Sequence, residues 1–230
     1  MKSASFVFGL MLTASVASAP RAFADNVTEP ETKVQFTDTW SNDGTTYALS
    51  GVGVREKMSF DVYAVGLYVE KGAGAAALKG WLDGGGKAFA AGGKVDLVKA
   101  KADQKTFNFI LDGKFGRAIW IKMVRSVSGP KIKDGFLDSL SKNLDIEGAD
   151  VKADVEKLST FLAAAEASKG GEYKFFFAAD GTLSGKGPGG AFSIKNEKLA
   201  RGFLGNWIGQ KPITPSLRAN LIGELNGLLK

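Results

Sequence analysis

Residues 49–57 read LSGVGVREK, and residues 60–70 read FDVYAVGLYVE. The second run is β-branched and aromatic with little charge, the pattern of a central strand covered on both faces. Alternation puts Val62, Ala64, Gly66 and Tyr68 on one face and Tyr63, Val65, Leu67 and Val69 on the other. The first run holds Gly51 and Gly53, two residues apart, and then Arg55. With a short strand expected over Thr45 to Leu49, Arg55 falls between two strand segments. The glycines permit another backbone to come close. An arginine placed there can hold a carboxylate or a phenolate with its rigid donor fork. It can equally be satisfied by carbonyls or an acidic neighbour, and the spacing leaves both readings open. Tyr63 and Tyr68 face opposite ways, so simple alternation lets at most one share a pocket with Arg55.

Working outward, residues 25–37 are polar, carry Pro30 and read as a mobile lead-in. Downstream, Ala75 to Trp81 predicts a short helix that the Gly84-Gly85-Gly86 run breaks. Val95 to Lys99 reads as a short strand. Thr106 to Asp112 (TFNFILD) alternates, which predicts a strand with Phe107, Phe109 and Leu111 inward. Arg117 to Val127 predicts its neighbour, with Lys122 and Arg125 on opposite faces, each able to snorkel to a rim. Ile132, Phe136, Leu140 and Leu144 recur every four residues, and Val151, Val155, Leu158 and Leu162 mark a second amphipathic helix. Strands return at Glu172 to Ala178, Thr182 to Lys186 and Phe192 to Ile194, the first two joined by an Asp180-Gly181 turn. A helix follows from Asn196 to Ile208. Thr214 and Pro215 open a last one running to Leu229. Strands, helices, strands, helices is the order of an α+β fold: a mostly antiparallel sheet covered on one face by helices.

The chain has 230 residues, and 44% of them are hydrophobic, which suits one domain. There is no histidine and no cysteine. That removes a Cys nucleophile, a His general base, a Ser-His-Asp triad, a His- or Cys-ligated zinc site and any disulfide framework. Lys and Arg total 30 against 24 Asp and Glu, a net charge of +6, with no long basic run and no basic stretch interleaved with stacking aromatics. Nucleic acid is therefore not an expected partner. Gly51 and Gly53 lack the context of a dinucleotide-binding turn. The glycines around Lys186 lack the spacing of a phosphate-binding loop. No metal and no cofactor is expected. The sixteen phenylalanines fit either a plain core or a ligand-lined cavity.

Residues 1–24 are a different kind of sequence. Lys2 precedes the apolar run FVFGLMLTASVASA over 6–19, and Ala22-Phe23-Ala24 ends it in an A-x-A pattern. This predicts a cleaved targeting segment, too short to be a transmembrane helix. Plastid, bacterial periplasm and secretory route all fit it. The expected domains are the leader (1–24), the flexible lead-in (25–37) and a single folded domain (38–230), with no transmembrane anchor in the mature chain, and a monomer.

The runs at 49–57 and 61–69 together resemble the chalcone isomerase superfamily. Ser126-Val127-Ser128-Gly129 resembles a second family motif. Asn196 to Leu199, Trp207-Ile208-Gly209, Thr214-Pro215 and Leu217 resemble a third, so the likeness covers roughly Val34 to Lys230. The resemblance implies an open-faced β-sandwich. It implies one of three functions: cyclisation of a chalcone to a flavanone, fatty-acid binding in plastids, or an isomerase-like interaction role without a ligand. The family's arginine falls on Arg55. Where the isomerases carry a threonine, a tyrosine, an asparagine and a lysine, this chain places Tyr63, Ile132, Ser139 and Trp120. The resemblance therefore leans to the fatty-acid-binding and isomerase-like members, and it favours a plastid. It implies a non-catalytic protein whose partner is a small hydrophobic carboxylate. On this resemblance Arg55 is expected to anchor the carboxylate, Tyr63 to donate a further hydrogen bond, and Phe107, Phe109, Val124 and Phe203 to line an acyl tunnel. If the chain is instead an isomerase, Arg55 is its catalytic residue.

Overall fold

A computed structural model describes residues 25–230. The leader expected over 1–24 lies outside the described residues. In chain order the elements are β1 (Asn26–Thr28), β2 (Gln35–Thr37), β3 (Thr39–Asn42), β4 (Thr45–Lys57), β5 (Phe60–Glu70), α1 (Lys71–Asp83), β6 (Ala90–Ala91) and β7 (Lys94–Val95). Then come α2 (Leu97–Ala102), α3 (Gln104–Asp112), β8 (Arg117–Met123), α4 (Gly129–Leu140) and α5 (Lys152–Ala163). The chain continues with β9 (Glu172–Phe177), β10 (Thr182–Gly187), β11 (Gly190–Lys195), α6 (Glu197–Ile208) and α7 (Pro215–Asn220), and a short 3-10 helix (Leu225–Leu229) closes it.

Seven strands form one antiparallel sheet in the order β11-β10-β9-β8-β5-β4-β3. Its core is the inner face, where Tyr63, Val65, Leu67 and Val69 of β5 pack under the helices with Phe136, Leu158, Phe203 and Trp207. The outer face carries a smaller cluster of Phe36, Tyr47, Leu49, Ala64, Tyr68, Ala118 and Phe176. This is the α+β class that the order of elements predicts and the open-faced arrangement that the family resemblance implies. No helix among the described residues is long and apolar enough to cross a membrane.

Several expectations need correction. The lead-in at 25–37 is structured: β1 and β2 pair antiparallel, and Phe36 is fully buried against the outer face. Arg55 does not lie between two strands. β4 runs unbroken for 13 residues, with a bulge at Ser50 that the sequence pattern does not reveal. Residues 106–112 are helical, not a strand. Asp103 caps α3 by accepting from the Lys105 amide at 2.8 Å, and Thr106, Phe107, Ile110 and Leu111 form the buried stripe. The segment 95–99 likewise holds only the end of β7 before α2, which Asp96 caps. The last helix stops at Asn220, and the chain then turns so that the Glu224 amide donates to the Ser50 carbonyl at 2.7 Å.

Candidate functional site

β4 and β5 present Arg55 and Tyr63 as direct cross-strand partners, so both side chains lie on the inner face. Met123 of β8 is the next residue in that row. A second bulge follows at once, because Glu56 pairs with Asp61 and leaves Val62 unpaired. This turns Val62 to the inner side as well, against the alternation.

These residues open onto a pocket of 570 Å³ at the end of the sheet. That size falls in the range of small-molecule sites. Met58, Phe60, Val62, Tyr63, Val127, Ile132, Phe136 and Ile213 supply its apolar and aromatic lining. Arg55, Lys57, Arg125, Lys131, Asp134 and Asp138 supply its charges. The two acids are already engaged: Asp134 with Lys133 at 3.2 Å and Asp138 with Lys142 at 2.8 Å. The Lys142 ammonium holds the Asp138 carboxyl below its ordinary range. Among the described residues none of the four cations takes part in a salt bridge.

Arg55 is half-buried, and Gly51 and Gly53 explain how it is covered. A methyl group added at Gly51 would lie 2.2 Å from the Asn220 carbonyl oxygen, and one at Gly53 would lie 2.6 Å from Leu217. The two glycines therefore let α7 settle directly on β4. The Arg55 Nη1 donates to the Thr214 hydroxyl at 3.1 Å and to the Glu56 carbonyl. Thr214 stands at the N-cap of α7 as its sequence context predicts, yet its side chain makes no capping bond. Its hydroxyl serves Arg55 instead. Both hydrogen-bond partners of the guanidinium are neutral, and it makes no salt bridge among the described residues; Asp138 across the pocket feels its charge only at a distance.

Tyr63 is also held from the core side. Its hydroxyl accepts from the indole Nε1 of Trp207 at 3.2 Å, and its ring stacks on Phe136 with centroids 6.3 Å apart. Burial pushes the phenol up to about 12, and the nearby Arg55 charge and the Trp207 hydrogen bond offset only part of that.

The other expected lining residues are not brought to this pocket. Phe107 is buried in the core, beneath the Arg218 guanidinium at 3.8 Å from its ring centroid. Phe109 stacks on Trp81, and Phe203 is fully buried among Phe136, Phe175 and Trp207. Val124 lines an adjoining surface cleft with Phe60 and Arg125. Phe107 and Phe203 belong to the buried core cluster between sheet and helices, and Phe109 packs against it. Ile132 does line the pocket, whereas Ser139 is buried in α4 with its hydroxyl unpartnered. Trp120 packs on the opposite face of the sheet.

Sequence reasoning missed Lys57, Met58, Phe60, Lys131, Gly135 and Ile213. One signal was available. Gly135 interrupts an otherwise good helix at a cost, and in the structure a side chain there would meet nothing within 4 Å.

An inner-face arginine beside an apolar pocket, on an open-faced antiparallel sheet backed by helices, defines the class. The chain belongs to the chalcone isomerase-like family, whose model matches residues 30–84 and 98–223. Among solved structures it is similar to the fatty-acid binding protein AtFAP1 of Arabidopsis thaliana. The TM-score is 0.68 at 18% identity, with 89% of this chain and 99% of that one covered. No curated protein matches the sequence significantly.

Proposed function

We propose that this chain binds a long-chain fatty acid, or a similar carboxylate, without chemical turnover, and that Arg55 anchors the head group. One observation carries the reading. Arg55 reaches the mouth of a largely apolar pocket with only neutral partners, Thr214 and the Glu56 carbonyl. A guanidinium in that setting gains most from an incoming carboxylate, which it can meet with two parallel hydrogen bonds. The apolar lining gives the acyl chain a place to leave water, worth about 0.8 kcal/mol per buried methylene. The likeness of fold to a protein named for fatty-acid binding supports the same reading.

Tyr63 contributes packing and field in this reading. Its oxygen already accepts from Trp207, and its proton is the one polar contact it has left to offer. The isomerase alternative draws less support, because Ile132 stands in the pocket where the resemblance calls for a ketone-supporting tyrosine. Delivery to a plastid by residues 1–24 belongs to the same proposal. Fusing that segment to a fluorescent reporter in plant cells tests it.

Calorimetric titration with palmitate tests the anchor. Arg55→Ala is expected to weaken binding at least tenfold, the order of a charge-assisted pair. It should leave the melting temperature unchanged, because Thr214 regains its place as the cap of α7. Gly135→Trp fills the pocket from α4 without touching Arg55, and it too should abolish binding. Wild-type affinity in both variants would overturn the reading.

A further inference from the structure

The hairpin joining β4 to β5 closes on two residues, Met58 and Ser59, with φ of 52° and 64°. Both central positions of this turn are left-handed, where Asn-Gly is the favoured pair. Neither residue here is suited to it. Met58 gains no packing in return, being 85% exposed, and Phe60 beside it is 58% exposed. Only one other large hydrophobic among the described residues, Val98, is so open to solvent. Two apolar side chains thus project from the rim of the pocket, and Met58 does so at a position where the turn does not favour it.

Their surroundings are cationic. Arg125 lies over the Phe60 ring at 4.7 Å from its centroid, and Lys57 and Lys131 complete the rim. All three are without salt-bridge partners among the described residues. Glu31, Glu56 and Asp61 bring their carboxylates within 4.8 Å of one another at the same hairpin, but none lines the pocket. The tip therefore has a cationic, apolar flank toward the pocket, while its acidic cluster lies outside the pocket, with Asp61 in the adjoining cleft beside Phe60 and Arg125.

We infer that this flank docks on the surface of a bilayer rich in anionic lipid, with Met58 and Phe60 entering the interface and Lys57, Arg125 and Lys131 meeting the phosphates. Charge complementarity selects this occupant: exposed apolar side chains stand beside three cations without salt-bridge partners among the described residues, while the pocket's acids Asp134 and Asp138 are paired with Lys133 and Lys142, and this matches an anionic head-group layer. Docked this way, the pocket mouth opens onto the membrane surface. An amphipathic ligand can then pass between bilayer and pocket without crossing water.

Flotation of the purified full chain with vesicles tests the inference, comparing phosphatidylcholine alone with phosphatidylcholine containing phosphatidylglycerol. The chain should float only with the anionic vesicles and should release at high salt. Lys57→Gln and Lys131→Gln should each lower the partition about fivefold. The double variant Met58→Asn/Ser59→Gly should lose binding while its melting temperature holds or rises, because it installs the favoured turn pair. Flotation unchanged in the double variant, or equal on neutral vesicles, overturns the proposal. So does sedimentation showing that the double variant abolishes a dimer instead, since a second copy would then cover the tip. The ligand reading can fail separately: palmitate binding without flotation removes only the docking, and flotation without palmitate binding removes only the ligand.

Discussion

Tyr63 is the residue on which core and pocket meet. Its hydroxyl satisfies the buried indole of Trp207, so Tyr63→Phe leaves that N–H without an acceptor. The expected cost is about 1–3 kcal/mol, read from the shift in a urea midpoint. The phenol also predicts a pH dependence. Folded Tyr63 ionises near about 12, whereas an unfolded tyrosine does so near about 10. Its contribution is complete below the unfolded value and drains away as pH climbs from about 10 toward about 12. Tyr68, Tyr47 and Tyr173 are raised too, chiefly by burial, and add to the alkaline loss. Over that window the stability of Tyr63→Phe should fall less steeply than that of the wild type. Parallel curves would sink the assignment.

At the scale of elements, β4 and α7 are one unit held by absence of side chains. Gly51→Ala puts a methyl group into the backbone at Asn220 and Leu221, which cannot yield without lifting α7. Gly53→Ala meets only the tip of the Leu217 side chain, which can rotate away. The first should cost about 1–3 kcal/mol and loosen Arg55 as well; the second should cost clearly less. Similar melting temperatures for the two variants would contradict this packing. The glycine spacing was legible in the sequence as close approach, although not what approaches. Strand β5 was legible too, because burial on both faces leaves a near-continuous apolar and aromatic run. The bulges at Ser50 and Val62 were not, since neither position carries a signature residue and each is set by what packs above it. Residues 106–112 misled because Phe107 and Phe109 alternate with polar neighbours. The aspartates at 96 and 103, both good caps, were the better evidence. Arg55 and Tyr63 could be found from residue type and spacing. Phe107, Phe109 and Phe203 could not be told from core, because apolarity alone does not say which side of a sheet is full.

Across the whole molecule, the sheet has two unequal faces. Helices seal the inner one, and the β1–β2 hairpin seals part of the outer one through Phe36. Lys122 ties this hairpin down by donating to the Gln35 carbonyl at 2.8 Å while its ammonium lies 5.3 Å from the Phe36 ring centroid. Phe36→Ala should therefore cost about 3–5 kcal/mol, as for a core phenylalanine, although the segment reads as a lead-in. A denaturation midpoint within error of the wild type would show that β1 and β2 contribute nothing to the domain. Buried Arg117 makes a comparable tie between α3 and the sheet, donating to the Gly113 and Phe115 carbonyls at 2.6 and 2.5 Å. Burial lowers its guanidinium to about 10, so it carries its charge at neutral pH against a desolvation cost that those carbonyls offset.

The bond between Tyr63 and Trp207 also makes the molecule its own optical gauge. Of the four tryptophans, Trp40 and Trp120 lie on the outer face and Trp81 stacks on Phe89 and Phe109. Trp207 alone is wired to a pocket wall, through a phenol that stands directly across from Arg55. A guest that moves the guanidinium shifts the field on that phenol and, one bond further, on the indole. With Trp40, Trp81 and Trp120 replaced by phenylalanine, the emission of this one buried ring is expected to shift on addition of a pocket ligand, without any attached dye.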